Sequence, residues 1–131
     1  MKRPLAELIR AAGVVGCGGA GFPAHIKASS AADTVIANGA ECEPLLHKDL
    51  ALMIREPGAV IDGLRLVMAA VGARRGIVGV KKKHMHRLDR LATYAKAQGV
   101  EIHQLGDFYP TGDEYVLVYE ATRRHIPPRG F

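Results

Sequence analysis

Between Val14 and Lys27 the chain reads Val-Val-Gly-Cys-Gly-Gly-Ala-Gly-Phe-Pro-Ala-His-Ile-Lys, which puts glycines at 16, 18, 19 and 21. Glycine adopts positive φ without steric cost and lets another group approach the backbone closely. A run this dense exposes successive N–H groups, the makeup of an anion-binding concavity. Lys27 follows as a mobile point charge suited to phosphate. The other reading is a flexible loop, and the choice depends on what the rest of the chain brings to the same place.

The flanking pattern alternates strands and helices. Pro4 and the stripe Leu5, Leu8, Ile9 and Ala12 predict a helix over 4–12 that Gly13 closes. Thr34 to Ala37 predicts a short buried strand ending in Asn38-Gly39. Asp49 to Glu56 predicts a helix stopped by Pro57-Gly58. A longer helix over about 59–72 carries Val60, Ile61, Leu64, Val67, Met68 and Val71 at core spacing. Gly76 to Val80 predicts a second strand, His86 to Gln98 an amphipathic helix stopped by Gly99, and Val100 to Leu105 a third strand. The order argues an α/β domain with a parallel sheet. Tyr115 to Thr122 has the β-branched and aromatic content of a strand, yet acids precede it and Arg123-Arg124 follow it as they do around a helix. Pro127-Pro128 imposes an extended exit.

With 131 residues, no internal repeat and no linker, residues 1–131 are expected to form a single domain. The 18 basic and 13 acidic residues leave a charge of +5. No aromatic residues interleave the basic ones as a nucleic-acid stacking platform requires, so small anionic ligands are the expected partners and nucleic acid is not. Two cysteines, neither in a Cys-x-x-Cys pair, exclude a disulfide framework and the usual zinc or iron–sulfur patterns. With no signal peptide and no long apolar run, a cytoplasmic location is expected.

In an open α/β sheet, ligands bind beyond the carboxyl ends of the strands. Polar segments follow each predicted strand: Asn38 to Pro44, Lys81 to His84, and Gly106 to Glu114. A parallel sheet brings all three to one edge, where the glycine loop joins them. The loop also satisfies G-x-G-x-x-G at 16, 18 and 21, with Glu41 twenty residues on. That fingerprint requires a strand entering and a helix leaving the turn. Here a helix enters and Phe22-Pro23 interrupts the exit, so the dinucleotide-binding Rossmann reading is secondary.

Three motifs together, Gly-Cys-Gly-Gly-Ala-Gly-Phe-Pro-Ala-His-Ile-Lys, Asn-Gly-Ala-Glu-Cys-Glu-Pro and Tyr-Pro-Thr-Gly-Asp-Glu, resemble the FMN/NADH-binding domain of RnfC-type electron-transfer subunits. That group includes the cobalamin reductase of propanediol utilisation, the proline-reductase-associated electron carrier and, more distantly, the flavin subunit of complex I. The resemblance runs from about residue 8 to residue 128. It implies a three-layer α/β/α sandwich, Rossmann-like, with a mainly parallel sheet and a helix over Tyr115 to Thr122. It also implies that Gly16, Gly18, Gly19 and Gly21 shape the loop where flavin and nicotinamide nucleotide meet. Lys27 matches the lysine near the FMN phosphate and ribityl chain, and Asn38, Glu41 and Glu43 match polar residues around the flavin. Tyr109, Gly112, Asp113 and Glu114 match the segment that lines FMN and touches the nucleotide.

The implied activity is hydride transfer from NADH to bound FMN and onward to a partner redox centre. The flavin is the reactive group, so no side chain is assigned as catalytic. The implied partners are NADH and an iron–sulfur or other redox protein, within a membrane-associated complex that the chain joins peripherally. Members of the group continue past Pro127-Pro128 into the rest of the flavin domain and into cluster-binding cysteines, whereas this chain ends at Phe131 with Arg129-Gly130 after the prolines. An incomplete domain without its own iron–sulfur cluster is therefore expected, and a truncated, non-catalytic assembly module is the alternative. Cys17 has either a small-residue role or a redox role in the loop, and Cys42 is expected to be a packing residue. Glu41, Glu43, His47 and Asp49 contain metal-ligand types, but the resemblance favours flavin contact.

Overall fold

A computed structural model describes residues 4–17 and 20–127. Strands β1 (Thr34–Asn38), β2 (Arg75–Lys81) and β3 (Glu101–Leu105) pair in parallel in the order β1-β2-β3. Ile36 lies opposite Ile77, and Val78 opposite Ile102. β2 is central and buries Gly76 through Val80, as expected of a strand covered on both faces. β1 is an edge strand, so its residues are half-buried rather than fully buried as its apolar run predicts.

Side chains alternate across the sheet, and β2 shows what each face meets. Val78 and Val80 pack with Leu50 and Met53 of α3 (Lys48–Arg55), Ile61 and Leu64 of α4 (Pro57–Val71), and Leu91 and Ala95 of α5 (Asp89–Ala97). On the other face, Gly79 leaves room for Leu117 of α6 (Glu114–Thr122), which closes a smaller cluster with Ala40, Leu105 and Ile36. This is a three-layer α/β/α sandwich. The ambiguous Tyr115 to Thr122 segment is helical, with Asp113 as its N-cap: Oδ1 accepts from Tyr115 N at 3.0 Å and Val116 N at 3.2 Å.

Other boundaries differ for local reasons. Pro57 does not merely stop α3; it opens α4 after a one-residue break at Glu56, because its missing N–H costs nothing in a first turn. His86 and Arg87 belong to a 3-10 turn (Lys82–Arg87) that precedes α5. α1 (Leu5–Ala11) forms but buries none of its residues, and it packs on the short helix α2 (Ala24–Ala28), which periodicity missed.

α5 ends as its glycine predicts. Gly99 has φ +68, its N–H donates to the Lys96 carbonyl, and the Val100 N–H reaches back to the Ala95 carbonyl at 2.9 Å. Ala95 and Val100 are both buried, completing the apolar contact of this helix-ending motif. A Cβ at 99 would meet nothing within 4 Å, so only backbone strain opposes a side chain there. Gly99→Ala is therefore expected to cost about 1 kcal/mol, read as a melting temperature lower by about 3–5 °C.

Candidate functional site

Because the sheet is parallel, Asn38, Lys81 and Leu105 end their strands at one edge. The segments that leave this edge after β1 and β3 are clasped together. Asn38 Nδ2 donates to the Gly112 carbonyl at 2.8 Å, while its Oδ1 accepts from Ala40 N at 3.1 Å. Gly112 N donates to Cys42 Sγ at 2.8 Å, and the Cys42 thiol lies 3.8 Å from the Ala40 carbonyl. The approach is so close that a Cβ on Gly112 would overlap the Ala40 carbonyl oxygen and sit 2.8 Å from Cys42 Sγ.

Beside the clasp lies a cleft of about 170 Å³ lined by Asn38, Glu41, Glu43, Lys48, Asp49 and Gly112, among others. The Glu41 side chain is 11% exposed, and its Oε1 is buried without a hydrogen-bond partner. Lys48 Nζ stands 3.5 Å from that oxygen and donates to Asp49 Oδ2 at 2.9 Å. Asp49 first, then Glu41, holds the Lys48 ammonium above its usual pKa. Among the described residues, no three of His, Cys, Asp and Glu are placed to hold a metal ion.

A second cleft of about 230 Å³ shares Glu41, Cys42 and Glu43 with the first and continues to Leu45, His47, Lys81, Lys83 and His84. Leu45 stands at its rim with φ +66 and is 92% exposed. Lys83 pairs with Asp107 at 2.8 Å. Burial first, then the charges of Lys83 and Lys81, holds His84 below its usual pKa, which favours the neutral ring.

The residues singled out from the sequence divide accordingly. Asn38, Glu41, Glu43 and Gly112 line one cleft. Asp113 spends its carboxylate on the α6 N-terminus. Tyr109 is 82% exposed, and Glu114 is exposed on the first turn of α6. Gly16 donates to the Phe22 carbonyl at 2.8 Å and Gly21 has φ +61; with a bridge between Val15 and Pro23, they close the glycine loop on itself. Gly18 and Gly19 lie outside the described residues. Lys27 does not share the clefts above: it lines a separate groove of about 410 Å³ along β1, α4 and α6, with Nζ 5.3 Å from the Phe22 ring centroid. Sequence reading missed the tie made by Cys42, because its partner is 70 positions away and nothing local marks it.

These residues suit a flavin on one specific ground. Glu41 Oε1 is buried with only the 3.5 Å approach of Lys48 Nζ, so it has room to accept a further hydrogen bond, and the flavin ring carries an N–H. No helix among the described residues is long and apolar enough to cross a membrane.

Comparison with known proteins points the same way. The sequence profile described as the Nuo51 FMN-binding domain matches residues 9–131. The chain is 46% identical over 122 residues to the cobalamin reductase PduS of Citrobacter freundii, covering 93% of this chain and 27% of that protein. It is 37% identical to one of the subunits of the Na(+)-translocating ferredoxin:NAD(+) oxidoreductase complex of Acetobacterium woodii, covering 92% of this chain and 28% of that one. The chain thus spans about a quarter of the length of the curated relatives it matches. A chain of the NAD+-reducing [NiFe]-hydrogenase in its H2-reduced state superposes with a TM-score of 0.77 at 29% identity, over 88% of this chain and 23% of that one.

Proposed function

This chain belongs to the Nuo51 FMN-binding domain family, and on that premise we propose that residues 1–131 are an FMN-binding, NADH-oxidising portion of an electron-transfer flavoprotein. The observation that carries the reading is the clasped pair of loops at the carboxyl edge of the sheet, with Glu41 Oε1 buried beside it and met only by Lys48 Nζ at 3.5 Å. When bound, FMN supplies the redox chemistry, taking a hydride from NADH and releasing electrons singly to a partner.

The protein holds and orients. Glu41 would accept an N–H of the flavin ring, and Glu43 lines the same wall. Asn38 and Gly112 keep the two walls at contact distance, and Asp113 fixes the helix that presents Glu114. Tyr109, exposed on the segment after β3, would be free to cover the ring. Gly16, Gly21 and Lys27 would meet the phosphate and ribityl chain; Lys27 would have to leave the separate groove it lines and turn toward the cleft. A redox protein within a larger complex receives the electrons, in keeping with the multi-subunit assembly named for the Acetobacterium woodii relative.

An anaerobic FMN titration, followed by flavin fluorescence and absorbance, tests this on the full chain. Quenching with micromolar or tighter affinity and bleaching on addition of NADH are expected. Glu41→Ala and Lys27→Ala are each expected to weaken FMN binding about tenfold, the effect of losing one hydrogen bond to a charged group. No binding at high micromolar FMN would sink the reading and favour a non-catalytic assembly module.

A further inference from the structure

We propose that the basic turn following β2 is a docking surface for an acidic protein carrying a one-electron redox centre, an inference that rests on the flavin reading above for its purpose. Within residues 81–90 lie Lys81, Lys82, Lys83, Arg87 and Arg90, together with His84 and His86. The acids at hand are Asp89 in the same segment, Asp107 across from Lys83, and Glu41 and Glu43 on the facing wall of the cleft. Among the described residues no ion pair engages Lys82, Arg87 or Arg90, and Lys82, Lys83, His86, Arg87 and Arg90 are all exposed. Burial is the main reason His84 is held below its usual pKa; Lys83, Lys81 and Arg87 add to it, and Asp107 works against them.

The patch is continuous with the cofactor site. Lys81, Lys83 and His84 line the cleft whose other wall is Glu41, Cys42 and Glu43, and those three also line the cleft beside the clasp. A partner seated on the turn is therefore brought to the carboxyl edge of the sheet, where FMN is proposed to bind. Complementary charge speeds and orients such encounters more than it tightens them, which suits a carrier that must leave again.

Size argues against a small anion. A six-residue 3-10 segment is about 12 Å long, wider than one phosphate spans. Residues 81–90 hold no Phe, Tyr or Trp to serve as a stacking platform for nucleobases. At each encounter one electron leaves the reduced flavin and one enters the oxidised centre of the partner. Two encounters remove the two electrons of a hydride, and the accompanying proton passes to solvent.

The test uses the full chain and an acidic plant-type [2Fe–2S] ferredoxin as probe, with calorimetric binding at low and high salt. Micromolar affinity at low salt is expected, weakened about tenfold or more as salt screens the patch. Lys82→Glu with Arg87→Glu should abolish binding while leaving the melting temperature and the FMN titration unchanged, and cationic cytochrome c should not bind. In a kinetic arm, the photoreduced flavoprotein is reoxidised by ferricyanide or by hexaammineruthenium(III). The charge variant should slow the anion and not the cation. Absent or salt-insensitive ferredoxin binding, or tighter binding of a single-stranded RNA, overturns the proposal. FMN binding without ferredoxin binding removes the docking surface alone. Ferredoxin binding without FMN uptake removes the flavin reading and leaves the surface standing.

Discussion

Gly112→Ala is expected to lower stability by about 3 kcal/mol and to weaken FMN binding about 100-fold or more. The reason is the nature of the obstacle. The new Cβ would overlap the carbonyl oxygen of Ala40, which is backbone, and the neighbouring Cys42 Sγ is already engaged with Gly112 N. Relief requires separating the two loops, and separation removes the Asn38 and Cys42 hydrogen bonds together. Gly79→Ala is the control. Its Cβ would meet the tip of Leu117 at 2.6 Å, a side-chain end that rotates away, so a loss of about 1–2 kcal/mol is expected with FMN affinity near that of the parent. Chemical denaturation and flavin titration on the same preparations check both outcomes. Equal losses in the two variants would show that the clasp has no special place in the site.

Asn38→Asp is expected to cost about 2 kcal/mol and about tenfold or more in FMN affinity, because one side chain serves both halves of the clasp. Aspartate retains the acceptor for Ala40 N but loses the donor to the Gly112 carbonyl, and it turns a carboxylate oxygen against that carbonyl. Asn38→Ala loses both bonds but introduces no repulsion. If the cross-loop bond matters most, aspartate is as damaging as alanine or more so. If the turn at Ala40 matters most, aspartate is nearly neutral. Thermal melts in parallel with flavin titrations separate the two.

The order of strands and main helices was legible because each element repeats its apolar residues with a fixed period: Ile61 and Leu64 on α4, Leu91 and Ala95 on α5, the run Ile77 to Val80 on β2. Five-residue α2 is too short to show a period, and its N-cap is Pro23, which reads as an interruption. The buried reading of Thr34 to Ala37 failed because apolar content does not say whether a strand is central or at an edge. At the site, the motifs named Asn38, Glu41, Glu43 and Gly112 together, and the structure brings those four to one cleft. What the motifs could not say is what each side chain touches. Asn38 and Asp113 face other parts of the chain, Cys42 is a tie rather than filler, and Lys27 lies along a different groove. Such contacts join positions with no periodic relation to one another.

The clasp also sets when the site can exist during folding. Asn38 and Gly112 are 74 positions apart, with β2, β3 and four helices between or beside them. Bringing such distant residues together costs loop-closure entropy that two or three hydrogen bonds do not offset alone. The cost is met only after β1, β2 and β3 have paired in register, so the cleft has no local precursor and appears among the last contacts to form. A chain caught before that point carries its strands and helices but no pocket, and its flavin affinity reports completion of the fold rather than its onset.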